Sequence, residues 1–425
     1  MDTAHPAGAL DGLRVLDLGH GIAGPFAARL LGDYGAEVIK VEKPVTGDFA
    51  RTLPPFAPDV QAPEQSLLFQ YLNWNKRSIA LDLRAPAAHP VIRELVRSSD
   101  ILIESFRPGT LARWGLSVDQ LLEWNPRLVV TSITNFGQEG PYAQYRASDL
   151  VLQAMGGIMQ ISGQADREPL KHGLSQSYYC AGLNAAYASV MAACAAQTDG
   201  IGEHVDLSIQ ECLASELVLN ESYYAFLGAV QGRRAVVQDP FAGEPIPARK
   251  GYIAFQTGGG APFDTFAELF DRPEFREPRF SSPPQREQRV PEVRALLEEC
   301  VANRDAKEVF LAGQSKRLLL GMVQSAQDLL DCEHLRDRKS FATVSHPATA
   351  TEITFPFELG KMSATPATLR RRSPLLDEHR AEILAGLTGL DQTQRAALDG
   401  VTPPASQPAA QPAPHAAAGE PNHGQ

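Results

Sequence analysis

The chain has 425 residues, 44% of them hydrophobic and 21% charged, enough for a large core and, at about 100–200 residues per domain, for two or three domains. Asp and Glu number 50 against 39 Lys and Arg, a formal charge of −11. That excess excludes a protein that coats polyanions, though not a local basic pocket, and the ordinary composition excludes a wholly disordered or fibrous chain.

In chain order, residues 1–12 (MDTAHPAGALDG) lack a basic patch followed by an apolar run, so no secretion signal is expected. Residues 13–18 (LRVLDL) predict a buried parallel strand, followed by glycines and a helix-like PFAARLLGDY that stops at Gly35, a natural left-handed cap. Further strands are predicted at 37–41, 78–83, 100–104 and 127–133, with helices at 86–97 and 117–124, the latter capped by Ser117. Such alternation implies a parallel sheet covered on both faces. Residues 148–196 turn helical; the apolar run 181–196 is too short to span a membrane and reads as a core helix. A strand at 204–208 precedes a helix expected over 209–227.

Residues from about 228 are richer in charge and loops, with one clear strand at 251–256 and short helices FDTFAELF and VRALLEECV. The expected organisation is a large domain over 1–227, a small domain over 228–335 and a return to the large domain over 336–401, through strands FATVSH and TEITFPF. Residues 402–425, rich in proline and alanine and without aromatics, bury too little apolar surface to offset chain entropy and are expected to be a disordered tail. The five cysteines, Cys180, Cys194, Cys212, Cys300 and Cys332, have no CxxC spacing and no clustered histidines. They read as buried thiols in a reducing compartment, so neither disulfides nor a metal site is expected, and the location is expected to be cytoplasmic.

The first strand–helix turn spells Gly19-His20-Gly21-Ile22-Ala23-Gly24, a literal GxGxxG, and Glu42 stands 21 residues after Gly21 at the end of the next strand. Alone, this points to a dinucleotide on a helix N-terminus with a carboxylate on its ribose. Lys43 beside Glu42 works against that reading, and no hydride-transfer acid stands out downstream.

Several segments have no counterpart in dehydrogenases: LDGLRVLDLGHGIAGPFAARLLGDYGAEVIKVE, NWNKRSIALDL, ILIESFRPGTLARWGL, NPRLVVTSITNFGQEGPYA, SDLVLQAMGGIMQISG, GIGEHVDLSIQE and SPLLDEHRAEIL. In this order the chain resembles the class III CoA-transferase family, which also includes acyl-CoA racemases. The resemblance implies an α/β fold: a Rossmann-like large domain, a small α+β domain and two chains threaded as interlocked rings. It implies no permanently bound cofactor, with coenzyme A or acyl-CoA as substrate. CoA contacts then fall on His20, Ala23, Lys43, Leu81, Arg84, Ser105, Phe106, Arg113 and Arg146.

Family transferases use one aspartate that attacks the donor thioester and carries the acyl group and then CoA. It lies 29 residues after the acidic position of the (D/E)xxxQ helix and four before a glycine. Counted from Asp149 towards Gly182, that place is Tyr178, and no Asp or Glu lies between Glu168 and Asp199. A phenol is about 0.1% ionised at neutral pH and would give an aryl ester instead of an anhydride. Cys180, two residues on, reads as an inert thiol. The racemase branch needs a histidine where Ser148 stands, and His172 and His204 have no paired acid at recognisable spacing.

A scaffold without its acid resembles the Asp-lacking subunit of heteromeric family members that pass CoA from succinyl-CoA to an arylsuccinate such as benzylsuccinate. The implied partner is a homologous Asp-bearing subunit in a heterodimer or heterotetramer, with acyl-CoA and a small carboxylic acid as ligands and neither nucleic acid nor membrane. The alternatives are a homodimeric transferase with another nucleophile, a non-catalytic acyl-CoA-binding protein, and the NAD enzyme of the glycine turn.

Overall fold

The computed structural model describes residues 8–57, 61–233, 245–349, 351–358, 360–391 and 394; the tail expected over 402–425 lies outside them. They form two compact units. The first takes Met1–Leu152, Ser175–Cys212 and Ala342–Gln425, the second Gln153–Leu174 and Leu213–Phe341. These limits differ from the expected boundaries at 227 and 335. The helix expected over 209–227 is two helices, Ile209–Ser215 and Val218–Leu227. At the break the Leu217 amide turns back to Ala214 O at 3.0 Å, and its side chain is buried.

The first unit is built on six parallel strands: β1 (Arg14–Asp17), β2 (Glu37–Glu42), β3 (Lys76–Ala80), β4 (Ile101–Glu104), β5 (Val129–Thr134) and β6 (His204–Ser208). Their spatial order is β3-β2-β1-β4-β5-β6. That is the doubly wound order, which reverses direction between β1 and β4 and opens a crevice there at the carboxyl ends. The apolar runs make the centre of the sheet, where β4 and β5 are buried throughout. Gly35 follows the helix Ala23–Asp33 at φ 117°, and Ser117 Oγ accepts the Gln120 amide at 3.2 Å, as their residue types dictate.

β3 begins two residues earlier than its apolar pattern predicts, because the polar Lys76 is drawn inside. Its ammonium meets Asp17 at 2.8 Å, Pro25 O at 2.7 Å and Asn73 Oδ1 at 2.9 Å. Beside it Lys40 pairs with Asp48 at 2.7 Å and Asp17 at 3.4 Å, while Arg51 grips Glu42 through two nitrogens at 2.7 and 2.9 Å. All six side chains are fully buried, three acids against three bases.

β3 is an edge strand, and the returning chain covers it. The Ser78 amide donates to His379 Nδ1 at 3.2 Å and the Ala80 amide to Asp377 Oδ1 at 2.7 Å. Ile383, Leu387 and Leu390 complete the cluster of Leu81, Val91 and Leu95. The expected strands of this return are β10 (Phe341–Ser345) and β11 (Glu352–Pro356), which pair and set Val344 and Phe355 around Trp74.

The helix Gln176–Asp199 is long and apolar enough, by length and composition, to cross a membrane. It instead packs on β5 and the helix Ala23–Asp33 as a core helix. Ala181, Ala185, Ala193 and Ala196 are buried, and Ser189 hydrogen-bonds Thr131 at 2.7 Å.

The second unit carries an antiparallel sheet, in the order β7 (Ile246–Pro247), β8 (Tyr252–Gly260), β9 (Leu318–Met322). Its core gathers Phe255, Phe263, Phe266, Phe270, Phe275 and Phe280, with neighbouring ring centroids at 5.5–6.5 Å, a spacing favourable to edge-to-face contact.

Candidate active site

The loops after β1, β4 and β5 surround a cavity of about 300 Å³, within the first unit, at the switch point of the sheet. Four sequence-predicted CoA contacts, His20, Ala23, Ser105 and Phe106, line it together with Tyr178. Lys43, Leu81, Arg84, Arg113 and Arg146 do not. The Leu81 side chain is 4% exposed and belongs to the hydrophobic core. Lys43, Arg84 and Arg146 are exposed. Arg84 is clamped by Asp82 at 2.8 Å through two nitrogens, whereas Arg113 donates to the Thr110 hydroxyl at 2.8 Å.

The glycine turn is built for packing. A Cβ on Gly19 would fall 2.9 Å from the Gly24 Cα, so the two glycines let strand and helix meet. The Gly19 amide donates to Asp17 Oδ1 at 2.9 Å, the His20 amide to Ser105 Oγ at 2.8 Å and the Gly21 amide to Asp48 Oδ1 at 2.8 Å. These amides are thus already engaged. Glu42, the would-be ribose carboxylate, is 1% exposed and consumed by Arg51, Ser78 and the Asp48 amide. Burial would lift its carboxyl group, but Arg51 outweighs that and holds it down at about 2. The dinucleotide reading therefore fails at its ribose carboxylate.

Position 178 sits in the first turn of the helix Gln176–Asp199, held from outside by Asp149. Asp149 Oδ1 accepts the Ser177 amide at 3.1 Å and the Ser177 hydroxyl at 2.8 Å, capping a turn that has no acid of its own. Gly182 lets this helix touch the one from Ala23: a Cβ there would stand 2.8 Å from Ala23 O and 2.9 Å from Phe26 Cδ1. Gly182→Ala is accordingly expected to cost about 1–3 kcal/mol through overpacking, read as a lower midpoint in chemical denaturation.

Burial first, then the charge of Asp149, push the Tyr178 phenol above its ordinary range. Among the described residues, none lining the cavity is Asp, Glu or Lys; Arg107 and His20 are its basic side chains. Burial lowers the His20 imidazole despite nearby Asp48, which favours the neutral ring. The expectation of buried thiols holds for Cys212 and Cys300 but not for the exposed Cys194 or the half-buried Cys180 and Cys332; Cys180 lies beside Asn184, 3.6 Å from its amide nitrogen, and does not line the cavity. Sequence reasoning missed Phe49, Arg107 and Tyr145. Arg107 lies inside the ESFRPG turn already singled out, whereas Phe49 opens the short 3-10 helix Phe49–Thr52 and Tyr145 lies on a loop, neither with a periodic signal.

Among the described residues no group of His, Cys, Asp and Glu could hold a metal ion. A doubly wound parallel sheet with its cavity at the strand-order switch defines a Rossmann-type protein. Residues 10–380 match the model of CoA-transferase family III, and the chain belongs to that family. It is similar, at 32% identity, to succinyl-CoA–D-citramalate CoA-transferase of Chloroflexus aurantiacus, over 94% of this chain and 98% of that one. Succinate–glutarate CoA-transferase of Agrobacterium fabrum is 30% identical over 90% of this chain and 97% of that protein. Among solved structures, a CAIB/BAIF family protein from Brucella suis superposes with a TM-score of 0.81 at 30% identity, covering 90% of this chain and all of that one.

Proposed function

We propose that the chain is the non-nucleophilic subunit of a cytoplasmic CoA-transferase that moves CoA from an acyl-CoA donor, succinyl-CoA, to a carboxylic acid. The observation that carries this is Tyr178 in a cavity that, among the described residues, no carboxylate lines. An arylsuccinate such as benzylsuccinate is the acceptor class in this reading. The lining supports it, because Phe49, Phe106, Tyr145 and Tyr178 offer aromatic walls to a ring. The relatives' succinyl-CoA and succinate names support the donor.

The partner is a homologous subunit bearing the aspartate, joined in the interlocked arrangement of the family as a heterodimer or heterotetramer. Unpartnered apolar surface favours such an assembly. On the helix Gln176–Asp199, Leu183, Tyr187 and Met191 are exposed at four-residue spacing, and Leu219, Tyr224 and Phe226 are exposed on Val218–Leu227.

CoA phosphates require cations that the acidic whole does not supply, so Lys43, Arg84, Arg113 and Arg146 remain the proposed contacts with His20, Ala23, Leu81, Ser105 and Phe106. Charge-assisted bonds of this kind contribute about 1.5–3 kcal/mol. Calorimetry of CoA into the chain should show Arg113→Ala weakening binding by about tenfold to a hundredfold. Arg84→Ala should cost less, because Asp82 already neutralises that guanidinium. NAD(H) should not bind; unchanged CoA affinity in both variants would make this subunit's own pocket vestigial.

A further inference from the structure

The ESFRPG turn contributes Ser105 and Phe106 to the cavity, yet the residue before them, Glu104, points elsewhere and is 4% exposed. Its Oε2 accepts the Phe106 amide at 2.6 Å, and it hydrogen-bonds the hydroxyl of buried Ser132, its partner across β4 and β5. Ser132 Oγ in turn lies 2.9 Å from Nε2 of His204 on the edge strand β6, where the histidine is exposed. At the other end Ser105 Oγ holds the His20 amide, and the Phe106 ring packs on His20 at 5.4 Å and on Trp114 at 5.1 Å. A chain of contacts thus runs from the sheet's outer edge to three residues lining the cavity.

We propose that Glu104 is a positioning residue, which fixes the Ser105–Phe106 wall of the acyl-CoA site through the Phe106 amide and is coupled to the surface through Ser132 and His204. This deepens the reading of the cavity as a CoA-transferase site and rests on it.

The bonds have one consistent direction for each state of the acid. With Glu104 ionised, the Phe106 amide and the Ser132 hydroxyl both donate to it, and His204 Nε2–H donates to Ser132. With Glu104 protonated, its hydroxyl donates to Ser132, whose own proton turns to an unprotonated His204 Nε2, and the Phe106 amide keeps a weaker, neutral acceptor. Burial, assisted by the charge of Asp206, raises this carboxyl group to about 7, against the bonds from Ser132 and Phe106. Asp206 and His204, both on β6, are the titratable groups facing it. Asp206 is itself held by the Gln138 amide at 2.9 and 3.1 Å. Leu102, on the same face of β4, belongs to the apolar core.

The test compares the full chain with Glu104→Gln, which keeps the shape and one acceptor but cannot ionise, between pH 6 and pH 8.5. Two readouts are used: calorimetry of CoA, and hydrogen–deuterium exchange of a peptide covering 101–110 without ligand, corrected for intrinsic exchange. At pH 6 the two proteins should match. At pH 8.5 the wild type should bind CoA about fivefold to tenfold more tightly and protect the 105–107 amides correspondingly more. Titration of CoA itself is common to both proteins and cancels in the ratio.

Ser132→Ala, which removes a donor to the carboxylate but leaves Glu104 in place, should move the midpoint of the effect upward. A ratio constant across pH in the exchange data, or an unmoved midpoint in Ser132→Ala, overturns the proposal. Exchange that responds as expected in a chain that binds no CoA upholds Glu104's control of the wall and overturns the CoA reading instead.

Discussion

Transferase turnover in a complex of this chain with an Asp-bearing homologue is expected to fall by about a millionfold when the partner's aspartate is replaced, the usual scale for deleting a nucleophile. Tyr178→Phe in this chain should leave turnover within a fewfold of wild type. The asymmetry follows from what position 178 can do. Burial and Asp149 push the phenol further from ionisation than a free tyrosine, so less than about 0.1% is phenolate at neutral pH. Among the described residues none lining the cavity supplies a carboxylate, and Asp149 is committed to capping Ser177. Purified by itself, the chain should bind CoA esters without exchanging them. Exchange by the lone chain, or a large loss from Tyr178→Phe with assembly intact, would show that this subunit runs its own chemistry.

The second large effect is on stability. Lys40→Ala should destabilise the chain by about 3–5 kcal/mol, because it leaves Asp48 in the interior without its lysine and Asp17 with Lys76 alone. Arg77→Ala, which removes an exposed pair with Glu382 at 3.0 Å, should cost no more than about 1 kcal/mol. Equilibrium denaturation of the two variants checks the contrast; equal losses would mean that the buried network contributes no more than a surface pair. The same network sets the acid limit. Arg51 and its neighbours hold Glu42 at about 2 against burial, below the ordinary 4.5. Its stabilisation is therefore present above pH 4.5 and is lost as pH falls towards 2.

The parallel sheet was legible because β1, β2, β4 and β5 are short apolar runs between glycine-marked turns and helices. β3 was read late because Lys76 and Arg77 look like surface residues. The partner that makes Lys76 an interior group, Asp17, lies 59 positions away, and no local pattern carries such a pairing. The same limit hid the unit boundaries, where residues 153–174 join a body whose remainder begins at Leu213. Four motif residues and Tyr178 meet at one cavity because each stands just beyond a strand end or in a first helical turn, where position in the motif fixes position in space. Glu42 misled through spacing alone, since a count of residues does not reveal that Arg51 has claimed both oxygens.

The clasp over β3 has a consequence for biosynthesis. His379 lies 301 positions after the Ser78 amide that it covers. At roughly 5–20 residues per second, a ribosome exposes that amide on the order of 15–60 s before its cover emerges. Throughout that interval a nascent sheet with an open margin can pair with a neighbouring polysome product. Chaperone dependence should therefore concentrate on the period between emergence of β3 and emergence of residues 377–390.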